Sequence, residues 1–160
     1  MAELKSALSV ADILERELQP TIQEWLRRVN LVPELTDIAL SDADRTGHLP
    51  QLYHDLISRL RLAEDVESPI SVAAFTHGEV RRAQGYSASM LIQESRVFQV
   101  ATFNTLYRHR SELDPSHMLS DVMVIADEVD AQLMETVRSL MGAKLAAALQ
   151  RSVSAPGFCD

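Results

Sequence analysis

After Asp114 and Pro115 the chain runs to about Leu149 with no further proline and with one glycine, Gly142. A proline at the first position of a helix is a start signal, because its fixed φ suits the helix and its missing N–H would be unpaired there anyway. Nothing after it stops the helix. Roughly 35 residues at 1.5 Å each reach about 50 Å, further than the width of a domain of this size, so part of the helix must project or pair. Val122, Val129, Thr136 and Ala143 alternate with Ala126, Leu133, Leu140 and Ala147 in a heptad pattern. That spacing is the seam of two packed helices. It predicts a dimer seam through Val122, Ala126, Val129, Leu133 and Leu140, and a helix folded back on its own domain would satisfy the same spacing.

The rest of the chain is also helical in pattern. Five glycines in 160 residues and few β-branched runs favour helix over sheet. A first helix is expected from about Val10 to Asn30, bent near Gln19 by Pro20. "VPEL" makes a corner, and Ser41 caps a short helical piece. Leu49, Leu52, Tyr53, Leu56, Ile57 and Leu60 then recur at helical spacing. Further helices are expected over about Pro69–Gln84, closed by Gly85, and over about Ala88–Arg110, capped by Ser87. The link "GYS" is short, which predicts antiparallel neighbours. The fold class is therefore all-α, a helical bundle with a long C-terminal helix, forming one domain over 1–150 with a disordered tail over 151–160.

Charge narrows the partners. Fifteen Lys and Arg against 23 Asp and Glu leave a net charge of −8, without a basic tract to neutralise phosphates. Nucleic acid is not an expected partner. No stretch approaches the roughly 20 apolar residues that span a bilayer, and the N-terminal segment lacks the pattern of a secretion signal. No membrane role is expected, and a cytoplasmic location is. The single cysteine, Cys159, allows neither a disulfide framework nor a Cys-rich zinc site.

Chemistry concentrates in "THGEVRRAQGYSASMLIQE", residues 76 to 94. Glu94 shares a helix face with Met90, Leu91, Val97, Phe98 and Ala101. A carboxylate in apolar surroundings needs a partner, because an unpaired buried charge is expelled or neutralised. An antiparallel hairpin about Tyr86 brings Glu94 level with Gly78, bracketed by His77 and Arg81, which share a face with Ile70, Ala73, Ala74 and Val80. Arg81 has the forked donors for a carboxylate and His77 can donate one more hydrogen bond. Gly78, at a cost of about 1 kcal/mol to a helix interior, fits a close helix approach. A buried Arg81, Glu94 and His77 network follows, either a clamp or a switch.

Other readings of these residues are weaker in pattern. "FTHGEVRR" has some likeness to the phosphoacceptor box of histidine kinase dimerisation helices, but a glycine separates His77 from Glu79 and the following proline is missing. Haem ligation by His77 or His109 has no visible apolar pocket to support it, and the five histidines form no H-E-x-x-H pair. Neither a metal nor another cofactor is expected. Nucleophile elbows, P-loops and dinucleotide-binding glycines are all missing, so the expectation is a protein that is not an enzyme.

"HGEVRRAQGYSASMLIQESRVF", with "LSDADRTGHLPQLYHDL" upstream and Trp25 in the first helix, resembles the N-terminal domain family of RsbT co-antagonist proteins of the RsbR/RsbRD type. The likeness spans about Ile13 to Leu140. The family pattern of a His-Gly pair, an Arg four residues on, a Gly-aromatic turn and a helical Glu falls on His77, Gly78, Arg81, Gly85, Tyr86 and Glu94. The resemblance implies a globin-like sensory input domain without haem, often dimeric, feeding a fused output module or a signalling partner in a stress response. This chain stops at the end of the long helix, so it is expected to be a separated input domain or to act through a partner.

Overall fold

A computed structural model describes residues 7–63, 66–67 and 69–153, without the side chains of 143–149 and 151–153. The described residues are mostly helical and form an all-α bundle. The sole strand-like pairing among them is an isolated bridge, Leu8 to Leu113, with Leu8 N–H on Glu112 O at 2.9 Å. It ties the start of the chain to the link before the last helix.

Helix α1 (Val10–Arg16) begins at a capping box in which Ser9 Oγ accepts the Asp12 N–H and the Asp12 side chain accepts the Ser9 N–H. Helix α2 (Leu18–Val29) follows after a break at Glu17, two residues earlier than the expected bend at Gln19. The reason lies in Pro20, which cannot donate to Arg16 O and crowds that carbonyl, so the disruption falls one turn upstream of the ring. Together the two helices bury Ile13, Leu14, Ile22, Trp25 and Val29.

Pro33 opens a single turn, α3 (Pro33–Thr36), and Ser41 Oγ accepts the Asp44 N–H to start α4 (Asp42–Thr46). Next comes α5 (Leu49–Leu60), which buries Leu49, Leu52, Tyr53, Leu56 and Ile57. Helix α6 (Val72–Ala83) is capped by Ser71, and α7 (Ala88–Arg108) by Ser87. Between them Gly85 takes φ +85°, the left-handed conformation that closes a helix without a side-chain clash. The last helix, α8 (Met118–Val153), has 36 residues. It starts one turn later than Asp114 and Pro115 suggest, because Asp114 Oδ1 accepts the Ser116 N–H in a turn. It also passes the expected end, so 151–153 are helical rather than tail, while 154–160, with Cys159, lie outside the described residues.

Two expectations are corrected by the packing. First, α6 and α7 do not lie along each other as an antiparallel hairpin; α6 packs chiefly on α8, and α7 packs on α2 and α8. The buried face of α6 is Ala74, His77, Gly78 and Arg81, leaving Ile70 and Val80 exposed and Ala73 half-buried. Second, the heptad on α8 faces its own domain. Val129 and Leu140 are 4% and 0% exposed, and Val122, Ala126 and Leu133 are half-buried, with Thr136 also inside. Ala143 and Ala147 lie outside the residues whose side chains are described. The spacing that suits a second helix from another copy suits helices α5, α6 and α7 of the same chain equally well. No helix among the described residues is long and apolar enough to cross a membrane.

Candidate functional site

At the centre of the bundle Arg81 is fully buried and Glu94 is 3% exposed. The two meet side-on: Arg81 Nε donates to Glu94 Oε2 at 3.1 Å, and Nη2 lies 3.0 Å from Oε1. Such a forked contact satisfies both carboxylate oxygens and fixes the plane of the guanidinium. Tyr86 Oη donates to Oε1 at 2.8 Å, and His77 Nε2 lies 3.3 Å from Oε2. Trp25 Nε1 donates to the Glu94 backbone carbonyl at 3.3 Å, which anchors α7 at this level to α2.

The guanidinium has donors left over, and the chain supplies acceptors. Nη1 donates to Asp44 O at 3.2 Å and to Gln84 Oε1 at 2.7 Å, while Nη2 donates to Arg45 O at 2.7 Å. Asp44 and Arg45 sit in the last turn of α4, whose carbonyls have no partner within so short a helix. Arg81 thus completes α4 and places a cation at its negative end. Arg45 is itself buried and donates to Leu35 O at 3.0 Å and Ile38 O at 2.8 Å, so the α3–α4 corner is held from both sides. Arg81 also lies over the Tyr86 ring, 4.8 Å from its centroid.

His48 stacks on His77, with ring centroids 3.6 Å apart and planes 11° from parallel. Burial holds the His48 imidazole well below its usual pKa, with His77 and Arg81 pushing the same way. Burial also lowers His77, against the pull of the Glu94 carboxylate beside it. Two neutral rings can stack at this distance where two imidazolium rings would repel. A neutral His77 that donates from Nε2 to Glu94 carries its lone pair on Nδ1, which is buried with no hydrogen-bond partner. Burial raises the Tyr86 hydroxyl, and the Glu94 charge adds to that, which keeps it a donor.

His48, His77 and Glu94 bring ligand atoms within 4.8 Å of one another, the one such trio among the described residues. Near-parallel rings aim their lone pairs alongside each other rather than at a common point, and Arg81 already occupies both oxygens of Glu94. The geometry therefore fits a hydrogen-bonded clamp better than tetrahedral metal ligation. It also fits phosphoryl transfer poorly. An acceptor imidazole must be reachable, whereas His77 is 6% exposed, covered by His48 and turned toward a carboxylate. His109 lies elsewhere, in a surface cluster with Arg16, Glu17 and Glu112.

Beside the clamp α6 touches the long helix. A Cβ built on Gly78 would stand 2.3 Å from Thr136 O and 2.8 Å from Ser139 Cβ, so only glycine allows this approach. The close contact expected at Gly78 exists, but with α8 rather than α7. Thr136 Oγ1 donates to Ala74 O at 3.0 Å, one turn along the same interface.

The outer wall is a cleft of about 840 Å³ between α5 and α6, with His48 and His77 in its wall. Gln51, Asp55 and Arg59 from α5 and Val72, Ala73, Thr76 and Val80 from α6 line it, so polar and apolar side chains share its walls.

Of the residues singled out in sequence, the structure brings together His77, Arg81, Tyr86 and Glu94, with Gly78 at the α6–α8 contact and Gly85 at the turn. Arg45, Gln84 and the stacking of His48 are not visible in the sequence. The available signal was the shortness of α4 between Ser41 and Gly47, which leaves carbonyls that some cation must meet. The chain matches no protein-family model, no curated protein and no solved structure.

Proposed function

We propose that this chain is a non-catalytic sensory input domain, cytoplasmic and homodimeric, of the kind found at the N-terminus of RsbT co-antagonist proteins. It passes a change of state through α8 to a fused output module or a signalling partner. One observation carries the reading: the buried Arg81–Glu94 pair lies one helical turn from a contact with α8 that tolerates nothing larger than Gly78. A tightly fitted interface is displaced as a unit rather than deformed gradually. A change in the charge or hydrogen bonding of the clamp is therefore read out as a shift of α8.

The dimer required by this reading uses the outer face of α8, where Leu119, Met123, Met134 and Met141 are exposed, since Val129 and Leu140 are taken up inside. Hydrogen exchange of the full chain tests the proposal together with its solution mass. Glu94→Gln should raise exchange both in α6 and in α8 around Thr136 to Leu140. Unchanged protection of α8 in that variant, or a monomeric wild type, would overturn it.

A further inference from the structure

We propose that the α5–α6 cleft binds a small hydrophobic organic cation, an ammonium group carried on an apolar body. The inference rests on the sensory reading above and names the ligand class for it. Volume is the first ground: about 840 Å³ falls within the range of small-molecule sites. Leu62, Ile70, Val72 and Val80 line the cleft as well as the polar residues, and all four are exposed. An apolar body covering them removes that surface from water.

Charge is the second ground. Asp44 and Asp55 line the cleft against Arg59, the one lysine or arginine among its described lining residues. His48 and His77 stack in the wall, and desolvation pushes both toward the neutral form. Asp55 is hydrogen-bonded by neutral groups, Ser71 Oγ at 2.7 Å and Gln51 Nε2 at 3.1 Å. The adjacent His54 ring, 3.8 Å away, pairs with it only when protonated. An incoming carboxylate would meet net negative potential, and an incoming ammonium would be drawn in.

Acceptors are the third ground. Gln84 Oε1 and the Asp44 and Asp55 carboxylates offer oxygen lone pairs at the cleft. The ligand that complements them is a donor. Contact with His48 and His77 also reaches the clamp, since His48 Nδ1 lies 3.5 Å from Arg81 Nη2 and His77 Nε2 3.3 Å from Glu94.

The experiment titrates the full chain with 3-phenylpropylamine, 3-phenylpropan-1-ol and 3-phenylpropionic acid, three probes of one shape and different charge. Trp25, the single tryptophan, reports by fluorescence through its edge contact with His48 at 5.8 Å, and calorimetry gives the affinities. The amine should bind at least roughly tenfold more tightly than the acid, with the alcohol between. Asp55→Asn, which keeps an acceptor for Ser71, should bring amine and alcohol together, and Thr76→Trp, at an exposed wall position, should abolish binding. Acid binding as tight as amine overturns the ligand class. No binding by any probe, or amine binding unchanged by Thr76→Trp, overturns the site. Either failure leaves the exchange result for Glu94→Gln to decide the sensory reading separately.

Discussion

Arg81 and Glu94, thirteen residues apart on helices that do not pack along each other, form a two-point ion pair in the dry centre of the bundle. Their contact is bridged by the length of the arginine side chain rather than by adjacency of backbones. That is why the pair also reaches α4: the far edge of the same guanidinium meets Asp44 O and Arg45 O. One side chain therefore joins α4, α6 and α7.

Breaking the pair should cost much more than the pair itself contributes. Glu94→Gln leaves a buried guanidinium without its counter-charge and should destabilise by about 3 kcal/mol, as should Arg81→Met, which strands the carboxylate. Removing both partners removes both uncompensated charges. The double variant should therefore lose clearly less than the two single losses added, measured by urea unfolding. Simple additivity would show that the two residues are energetically independent.

Two glycines on helices give opposite expectations. Gly78→Ala gains helix propensity of up to about 1 kcal/mol, but its Cβ must displace a backbone carbonyl of α8, at a cost of about 1–3 kcal/mol or more. Net loss of stability is expected. Gly142→Ala meets nothing within 4 Å in the same long helix and should raise the thermal midpoint. Thermal scans of the two variants beside the wild type check both signs.

Gly85→Ala isolates backbone strain from packing. No atom lies within 4 Å of a Cβ there, yet φ is +85°. The loss should be about 1 kcal/mol, as expected for a left-handed alanine, without change in the denaturant slope. A loss several times larger would mean that the turn also sets how α6 meets α8.

Acid should weaken the fold well before the carboxylates titrate. His48 and His77 are held neutral by burial, whereas in the unfolded chain each takes a proton near pH 6.5. Their depressed native pKa values mean that the stability they contribute is complete above about pH 6.5. It is lost as the pH falls below that, by at most about 1.4 kcal/mol per pH unit for each ring. Glu24, kept down at about 2 by Arg27 and Arg28, contributes in a lower range. Unfolding free energies at pH 7.5 and 5.5 should differ accordingly, and His48→Phe, which keeps a stacked ring, should flatten the dependence.

Much of the architecture is legible one segment at a time, since the signals for it are local. Ser41 and Ser87 each accept a backbone N–H three residues on, and Gly85 closes α6, whereas α6 starts at Val72 behind a Ser71 cap rather than at about Pro69. The face of Glu94 is similarly local: apolar residues at Met90, Leu91, Phe98 and Ala101 force a buried acid to find a cation, and Arg81 is within reach. What local pattern does not carry is which helix lies against which. The "GYS" link reads as an antiparallel hairpin, and the heptad on α8 reads as a seam between copies. In both cases an apolar or small-residue stripe specifies that a helix is covered but not by what, because hydrophobic burial has no direction.

By itself, then, the chain determined its helices, its caps and the requirement that Glu94 be neutralised inside, each a consequence of covalent geometry or of the cost of a bare charge. Tertiary structure alone decided that α8 covers α6 at Gly78, that Val129 and Leu140 serve their own domain, and that α4 ends on Arg81. It also opened a cleft between α5 and α6 that polar and apolar side chains line together. These outcomes depend on side chains far apart in sequence competing for the same surfaces, and that competition is settled only when all the helices pack at once.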